Sequence, residues 1–372
     1  MFNPEVPYDI PPLPVDGIET VKILKKVTPA ARALSALNQV ARLLTNQNLL
    51  VNLIPILESK SSSEIENIVT TTDALFKHES DSSTADPATK EALRYKKALF
   101  LGFESVSGDN ARPLNTNTAV DICSELIDKQ VDVRKVIGTN LKNQRTGEVI
   151  YTPPVGEDNL RNKLSNWESY IHDHDVDPLI ALAVAHYQFE AIHPFLDGNG
   201  RTGRILNILF LIENELLSQP ILYLSRYIME NKEDYYRLLL NVTQEGDWEP
   251  WICFMLEAIT ITSQWTINKV NAIVELQKQT SEYIKASSQK NYSYELVELL
   301  FEKPYLRTRD LIDRGLYRSR QAAIGALKSL EELGVLESKT AGREMLFINT
   351  RLLDLMSYDT NEFLPFEYGP KE

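Results

Sequence analysis

The stretch HPFLDGNGRTGR, from His193 to Arg204, joins two apolar segments, and that junction limits what the chain can fold into. Upstream, Asp177 and Pro178 pair a helix-capping side chain with a proline suited to the first helical turn, and DPLIALAVAHYQFEAI runs apolar up to His193. Downstream, RILNILFLIENELL is apolar on most helical faces and therefore belongs near the centre of the molecule. Two buried helices linked by a glycine-rich loop predict a mainly α fold organised around that loop.

Helical periodicity dominates the rest of the chain. A Pro-rich lead-in to Pro14 is expected to cross the surface in extended form, and ARALSALNQVARLLTNQNLLVNLIPILES then repeats apolar residues at three and four. SSSEIENIVTTTDALFKH predicts a helix that starts at Ser63, with Glu66 as the acid of a capping box and Ile65, Ile68, Val69, Thr72 and Phe76 on one stripe. TNLKNQRTGEVIYTPP, residues 139–154, predicts a short hairpin around QRTG. From about Ser293, three helical segments followed by VLESKTAGREMLFI, a strand, an Ala-Gly turn and a strand, give the winged helix-turn-helix order. The expected units are an N-terminal helical region over 1–110, a core over 111–265, a helical linker over 266–290, the winged helix over 291–350 and a tail over 351–372.

Charge narrows the partners. With 39 Lys and Arg against 52 Asp and Glu, the net charge of -13 excludes a chain that coats nucleic acid or anionic membrane by bulk charge. The winged-helix segment balances nine basic with nine acidic residues, yet YLRTRDLIDRGLYRSR, from Tyr305 to Arg320, holds five arginines against two aspartates. That leaves DNA contact and protein docking both open for the module. Cys123 and Cys253 lie in apolar helical patterns and read as buried free thiols. The N-terminus has no basic head or apolar h-region and no apolar run can span a bilayer, so the expectation is a soluble, unprocessed, cytoplasmic protein.

Two glycine motifs match the loop letter by letter, and neither suits its context. Gly198, Gly200 and Gly203 satisfy G-x-G-x-x-G, but the dinucleotide fingerprint follows a strand, whereas a helix leads in here. The Walker A spacing is also present, yet Arg204 and Ile205 stand where Lys and Ser/Thr are required. What survives is flexible backbone at a helix N-terminus, a natural phosphate site. Arg201 and Arg204 gain nothing there from the helix dipole, so a bound polyanion explains them better. Asp197 beside a phosphate requires an intervening divalent cation such as Mg²⁺. His193 can take a proton from an incoming hydroxyl while the loop holds a phosphate in line; its other reading is a helix-terminal histidine that caps carbonyls.

HPFLDGNGRTGR resembles the signature of Fic-domain proteins, His-Pro-Phe-x-Asp/Glu-Gly-Asn-Gly/Lys-Arg-x-x-Arg, at every defined position. The resemblance implies a Fic-type helical core with a β-hairpin flap that transfers AMP from ATP to a Ser, Thr or Tyr hydroxyl of a target protein or of itself, releasing pyrophosphate. It implies His193 as general base, Asp197 as Mg²⁺ ligand, Gly198, Asn199 and Gly200 as the anion-binding turn, Arg201 on phosphate or loop, and Arg204 on the γ-phosphate. Thr202 and Gly203 complete the ATP-binding stretch, and Tyr235 and Tyr236 resemble a pair that flanks adenine. The hairpin at 139–154 corresponds to the flap that docks the target by main-chain pairing. Ser62, Glu66 and Asn67 match the family's inhibitory Ser/Thr-x-x-x-Glu-Gly/Asn motif, on a helix expected near 62–77, and Glu66 is expected to pair with Arg204. Family members often self-associate, so a homodimer is expected. Two other readings stand beside this one: a Fic enzyme that transfers another phosphate-containing group or removes AMP, and a winged-helix regulator that senses nucleotide.

Overall fold

The computed structural model describes residues 2–44, 46–136, 138–142, 146–289, 292–341 and 344–366. Asp177 caps helix α7 (Pro178–Ile192) by accepting from Leu179 N at 2.9 Å, with Pro178 in the first turn. After the loop, α8 (Asn199–Glu213) runs back through the centre, and nearly every side chain of both helices is buried. Two tryptophans clamp α7 from opposite sides. Trp167 of α6 (Glu157–His172) donates to Ala185 O at 3.1 Å, and Trp251 of α11 (Trp248–Ser287) donates to Ala183 O at 2.8 Å. Burying an indole while its N–H finds an acceptor recovers the apolar gain without an orphaned donor. Helices α4 (Pro87–Ser107) and α5 (Thr116–Ile127) pack on α8, and α10 (Lys232–Glu245) packs on α11. Cys123 and Cys253 are buried free thiols.

The N-terminal region wraps this core. The lead-in is extended but anchored: Asn166 brackets Leu13, accepting from its N–H at 2.8 Å and donating to its carbonyl at 2.9 Å, and Tyr8 N donates to Thr152 O at 2.9 Å. Helix α1 (Val21–Leu43) lies along α11, and α2 (Asn48–Ile65) follows it.

The end of α2 differs from the sequence expectation. No helix starts at Ser63; α2 runs through it and stops at Ile65. Asn67 takes a left-handed φ of 64°, Ile68 N donates to Ser63 O at 3.0 Å and Asn67 N donates to Glu64 O at 3.0 Å. That is a Schellman stop, with Asn in the position that tolerates φ > 0. Glu66 is therefore the C-cap of one helix instead of the first-turn acid of another, and α3 (Thr72–His78) starts afresh with Thr71 accepting from Ala74 N. The expected stripe breaks accordingly, and Val69 is exposed.

A hairpin of β1 (Leu141–Lys142) and β2 (Val149–Tyr151) pairs antiparallel; Gln144 and Arg145 of the expected QRTG turn lie outside the described residues. The C-terminal module contains α12 (Tyr294–Glu302), β3 (Tyr305–Leu306), α13 (Thr308–Asp313), α14 (Arg320–Glu332), β4 (Glu337–Ala341) and β5 (Glu344–Ile348). Its antiparallel sheet has the order β3-β5-β4, the winged-helix arrangement, and Gly342 of the expected Ala-Gly turn falls outside the described residues. The module rests on α3: Tyr305 Oη donates to Asp73 at 2.6 Å, and Arg307 donates to Lys77 O at 3.3 Å. Of the five arginines expected to present basic charge, Arg307 also pairs with Glu344 at 3.0 Å and Arg314 with Glu302 at 2.6 Å. Arg309, Arg318 and Arg320 remain exposed.

The expected tail contains a further helix, α15 (Thr350–Ser357), held against α11 by one buried lysine. Lys269 Nζ donates to Leu355 O at 2.7 Å, Tyr358 O at 2.9 Å and Thr360 O at 3.0 Å, satisfying carbonyls at the end of α15. Lys269→Met keeps the volume and removes the donors, so it should cost about 2 kcal/mol and lower the melting temperature by a few degrees. An unchanged melting temperature would show that these carbonyls bond equally well to water.

Candidate active site

The loop's shape comes from its own side chains. His193 caps α7 in a left-handed conformation, φ 50° and ψ 60°, and Gly198 caps the start of α8 at φ 82°. Asn199, the first residue of α8, clasps the loop, accepting from Phe195 N at 2.8 Å and donating to Phe195 O at 2.8 Å. Phe195 is buried as the anchor. The Asn199 side chain is thus spent on the fold of the turn, and the anion-binding capacity lies in the first-turn N–H groups of α8.

The remaining loop residues divide by direction. Arg201 is almost fully buried and turns to α4, pairing with Glu91 at 2.5 Å and lying 3.7 Å from Asp197, so it holds the loop to α4. Thr202 is buried beside Cys123. Gly203 lies against Phe189 and Glu190 of α7. Asp197 projects outward with its side chain 69% exposed, accepting from Gly198 N at 2.6 Å. Among the described residues no group of three or more His, Cys, Asp or Glu gathers to hold a metal. A single exposed carboxylate beside an anion site suits Mg²⁺, which takes one or two carboxylates and completes its shell with phosphate oxygens and water.

Arg204 points into the protein, 1% exposed, and is captured by the end of α2. Its Nε donates to Ser62 Oγ at 2.8 Å, and its Nη2 donates to Ser62 O at 2.9 Å and to Glu66 Oε1 at 2.9 Å. A cation at a helix C-terminus meets both the negative end of the dipole and the unpaired last carbonyls. Burial pushes the Glu66 carboxyl up, but the Arg204 guanidinium outweighs it and holds Glu66 below the usual carboxylate range. Gly200 leaves room for this contact, because a Cβ there would fall on Glu66 Oε1 as it is placed. Buried hydrogen bonds fix α2 itself: Glu58 accepts from Ser225 N at 2.9 Å and Tyr95 Oη at 3.0 Å.

Beside this pair opens a cavity of about 790 Å³, lined among others by Glu66, Asn67, Glu190, Lys232, Tyr236 and the hairpin's Ile150. Lys232 Nζ donates to Asn67 Oδ1 at 3.3 Å across its edge. Tyr236 faces the cavity, but Tyr235 does not. Adjacent helical residues point about 100° apart, and Tyr235 is a core residue, 1% exposed, with its hydroxyl 2.9 Å from His186 Nε2 and its ring against Trp251. The expected tyrosine pair therefore reduces to Tyr236.

Sequence reasoning missed three side chains here. Glu190, on the last turn of α7, has a buried Oε1 with no hydrogen-bond partner, and burial raises its pKa to about 7, an effect that Glu66 reinforces and Arg204 offsets. Glu91 anchors Arg201, and Arg134 donates to His193 O at 2.8 Å. The signal for Glu190 was available, since it is the one acid in a mostly apolar helix and lies three residues before His193. Neither Glu91 nor Arg134 carries any local mark. His193 itself stays neutral at physiological pH: burial, then the Arg134 charge, lower its pKa to about 4.

Family models match three consecutive segments: Fic/DOC family N-terminal at residues 24–104, Fic/DOC family at 113–211, and the C-terminal domain of SoFic-like protein adenylyltransferases at 276–352. "Protein adenylyltransferase Fic" of Drosophila virilis is 33% identical over 98 residues, 26% of this chain and 19% of that protein. "Protein adenylyltransferase fic-1" of Caenorhabditis elegans is 30% identical over 105 residues, 27% of this chain and 19% of that protein. The chain thus spans about a fifth of the length of these curated relatives. In fold it is similar to a Fic family protein from Desulfovibrio desulfuricans G20, with TM-score 0.55 and 19% identity over 91% of this chain and 98% of that one. It is also similar to Fic-1 from C. elegans, with TM-score 0.52 and 18% identity over 67% of this chain and 74% of that one. Joined to a loop that carries the whole Fic signature between two buried helices, these matches show that the chain belongs to the Fic/DOC family.

Proposed function

We propose that this protein transfers AMP from ATP to a hydroxyl side chain of a target protein and of itself, and that the end of α2 holds it inhibited. The observation that carries the reading is the Glu66–Arg204 pair at 2.9 Å, on the helix whose N-terminus is the anion site. In the transfer, the target hydroxyl attacks the α-phosphorus, the P–O bond to pyrophosphate breaks, and the hydroxyl proton passes to the neutral imidazole of His193. Phosphate oxygens accept from the first-turn N–H groups of α8. Asp197 would hold Mg²⁺, which neutralises phosphate charge when bound. Ile150 and Leu141 of the hairpin lie beside the cavity, and the strand edge there suits a target segment added by main-chain pairing.

Inhibition follows from Arg204 being occupied. A γ-phosphate without that partner has no reason to settle in the pose that aligns attack, and misalignment alone costs roughly 10²-fold. Arg309, Arg318 and Arg320 support a local, charge-driven DNA contact for the winged helix.

Glu66→Gly should raise AMP incorporation from labelled ATP by about 10²-fold, and adding His193→Ala should remove at least that much again. Intact mass after incubation with Mg-ATP separates the Fic reactions: added AMP supports transfer, added phosphate points to a different group, and no added mass in Glu66→Gly overturns the reading. For the winged helix, affinity for random duplex DNA should fall with salt at a log–log slope of about -3, as three phosphate contacts require. Undetectable or salt-insensitive binding leaves protein docking instead.

A further inference from the structure

Arg134 stands out as a buried cation without a carboxylate. It is 3% exposed and forms no ion pair among the described residues. Its partners are main-chain oxygens: Nε donates to His193 O at 2.8 Å, and Nη2 donates to Pro154 O at 2.5 Å and to Ile192 O at 3.4 Å. Its own N–H donates to Pro194 O at 2.8 Å, and its Nη1 is buried without a partner. Burial depresses its own pKa, a sign of what holding the charge there costs. A neutral side chain of similar size would fill the space without that cost.

What the guanidinium does is visible in what it touches. Ile192, His193 and Pro194 form the turn that ends α7, and His193 occupies a left-handed conformation that is unfavourable for a residue with a Cβ. Three bonds from one residue hold that turn. The same fork reaches Pro154, just past strand β2, so the catalytic turn and the base of the hairpin share one anchor. Arg134 places a cation near the His193 ring; Glu66 at the end of α2 and Asp197 on the loop act in the opposite sense, as does the Glu190 backbone.

We propose that Arg134 is a positioning residue for His193: its fork fixes the left-handed turn that carries the imidazole against the hairpin and sets a positive charge beside it. This rests on the reading of His193 as the base, so the test includes a measurement that does not require transfer. In full-length Glu66→Gly protein with ¹⁵N-labelled histidine, His193 is assigned by the signal lost in His193→Ala and its ring is titrated by NMR. Adding Arg134→Met should raise the His193 pKa by about one pH unit, because a nearby like charge is lost. Arg134→Lys keeps the charge and should leave that pKa within a few tenths of a unit of the Glu66→Gly value. In labelled-ATP assays both should slow incorporation, Arg134→Met by about 10²-fold and Arg134→Lys less, since a compact ammonium does not reproduce the planar fork whose Nε and Nη2 reach the His193 and Pro154 carbonyls. The acid limb of the rate profile should move to higher pH in Arg134→Met alone. An unmoved His193 titration in Arg134→Met overturns the proposal even if no variant transfers AMP, and absent transfer in Glu66→Gly overturns only the functional reading. If Arg134→Met does not fold, Arg134→Lys decides: incorporation at the Glu66→Gly rate refutes the fork.

Discussion

The arrangement depends on a single buried cation. Arg204 arrives on the second turn of α8 with almost no exposure, and an unpaired guanidinium there would cost several kcal/mol. The end of α2 supplies a hydroxyl, a carbonyl and a carboxylate, so the charge is met by one formal anion and by the helix dipole together. For those groups to arrive at one point, α2 must stop at Ile65 and turn back. The Schellman geometry at Asn67 does that, and Gly200 clears the space that the Glu66 carboxylate occupies.

The turn between α7 and α8 follows the same logic of forced proximity. Two helices buried on nearly all sides cannot be joined by a relaxed surface loop, so the connection has to reverse tightly. His193 and Gly198 absorb the reversal with positive φ, and Asn199 closes it with paired bonds to Phe195. A histidine in that position has its ring carried into a buried, cation-flanked setting, where it stays neutral and able to accept a proton. The chemistry available to the ring is thus a consequence of where the backbone must bend.

How much of this could be read from sequence depends on the range of the interaction. The start of α7, the central α8 and the winged-helix order follow from capping residues and apolar spacing, which are local, and they appear as expected. The end of α2 does not, because Ser63 and Glu66 satisfy a capping-box pattern while the deciding signal is Asn67 in a left-handed turn, which has no spacing signature. Tyr235 and Tyr236 look equivalent as letters and are separated only by helical geometry. Arg134 acts on a residue 59 positions away and Glu91 on one 110 positions away, so neither is legible until the chain is folded. The helix α15 was lost for a similar reason: what docks it is Lys269, far upstream on α11.

Release of Arg204, in the proposed reading, is an exchange and not a simple breakage. Glu66 and a nucleotide γ-phosphate are both anions that make short, charge-assisted bonds to a guanidinium, so replacing one by the other leaves the buried charge compensated throughout. The energy separating the two states is then a difference between similar terms, small enough for a bound partner or a single substitution to tip. Glu190 bears on that balance. With Glu66 in place its carboxyl is held near neutrality, and withdrawal of the Glu66 charge removes the repulsion that helps keep it there. An ionised Glu190 would partly compensate Arg204 but would also oppose an arriving phosphate. The inhibited state therefore keeps Arg204 paired while the Glu66 charge helps to raise the pKa of the second carboxyl, and the entry of a polyanion would act on Glu190 in the same direction.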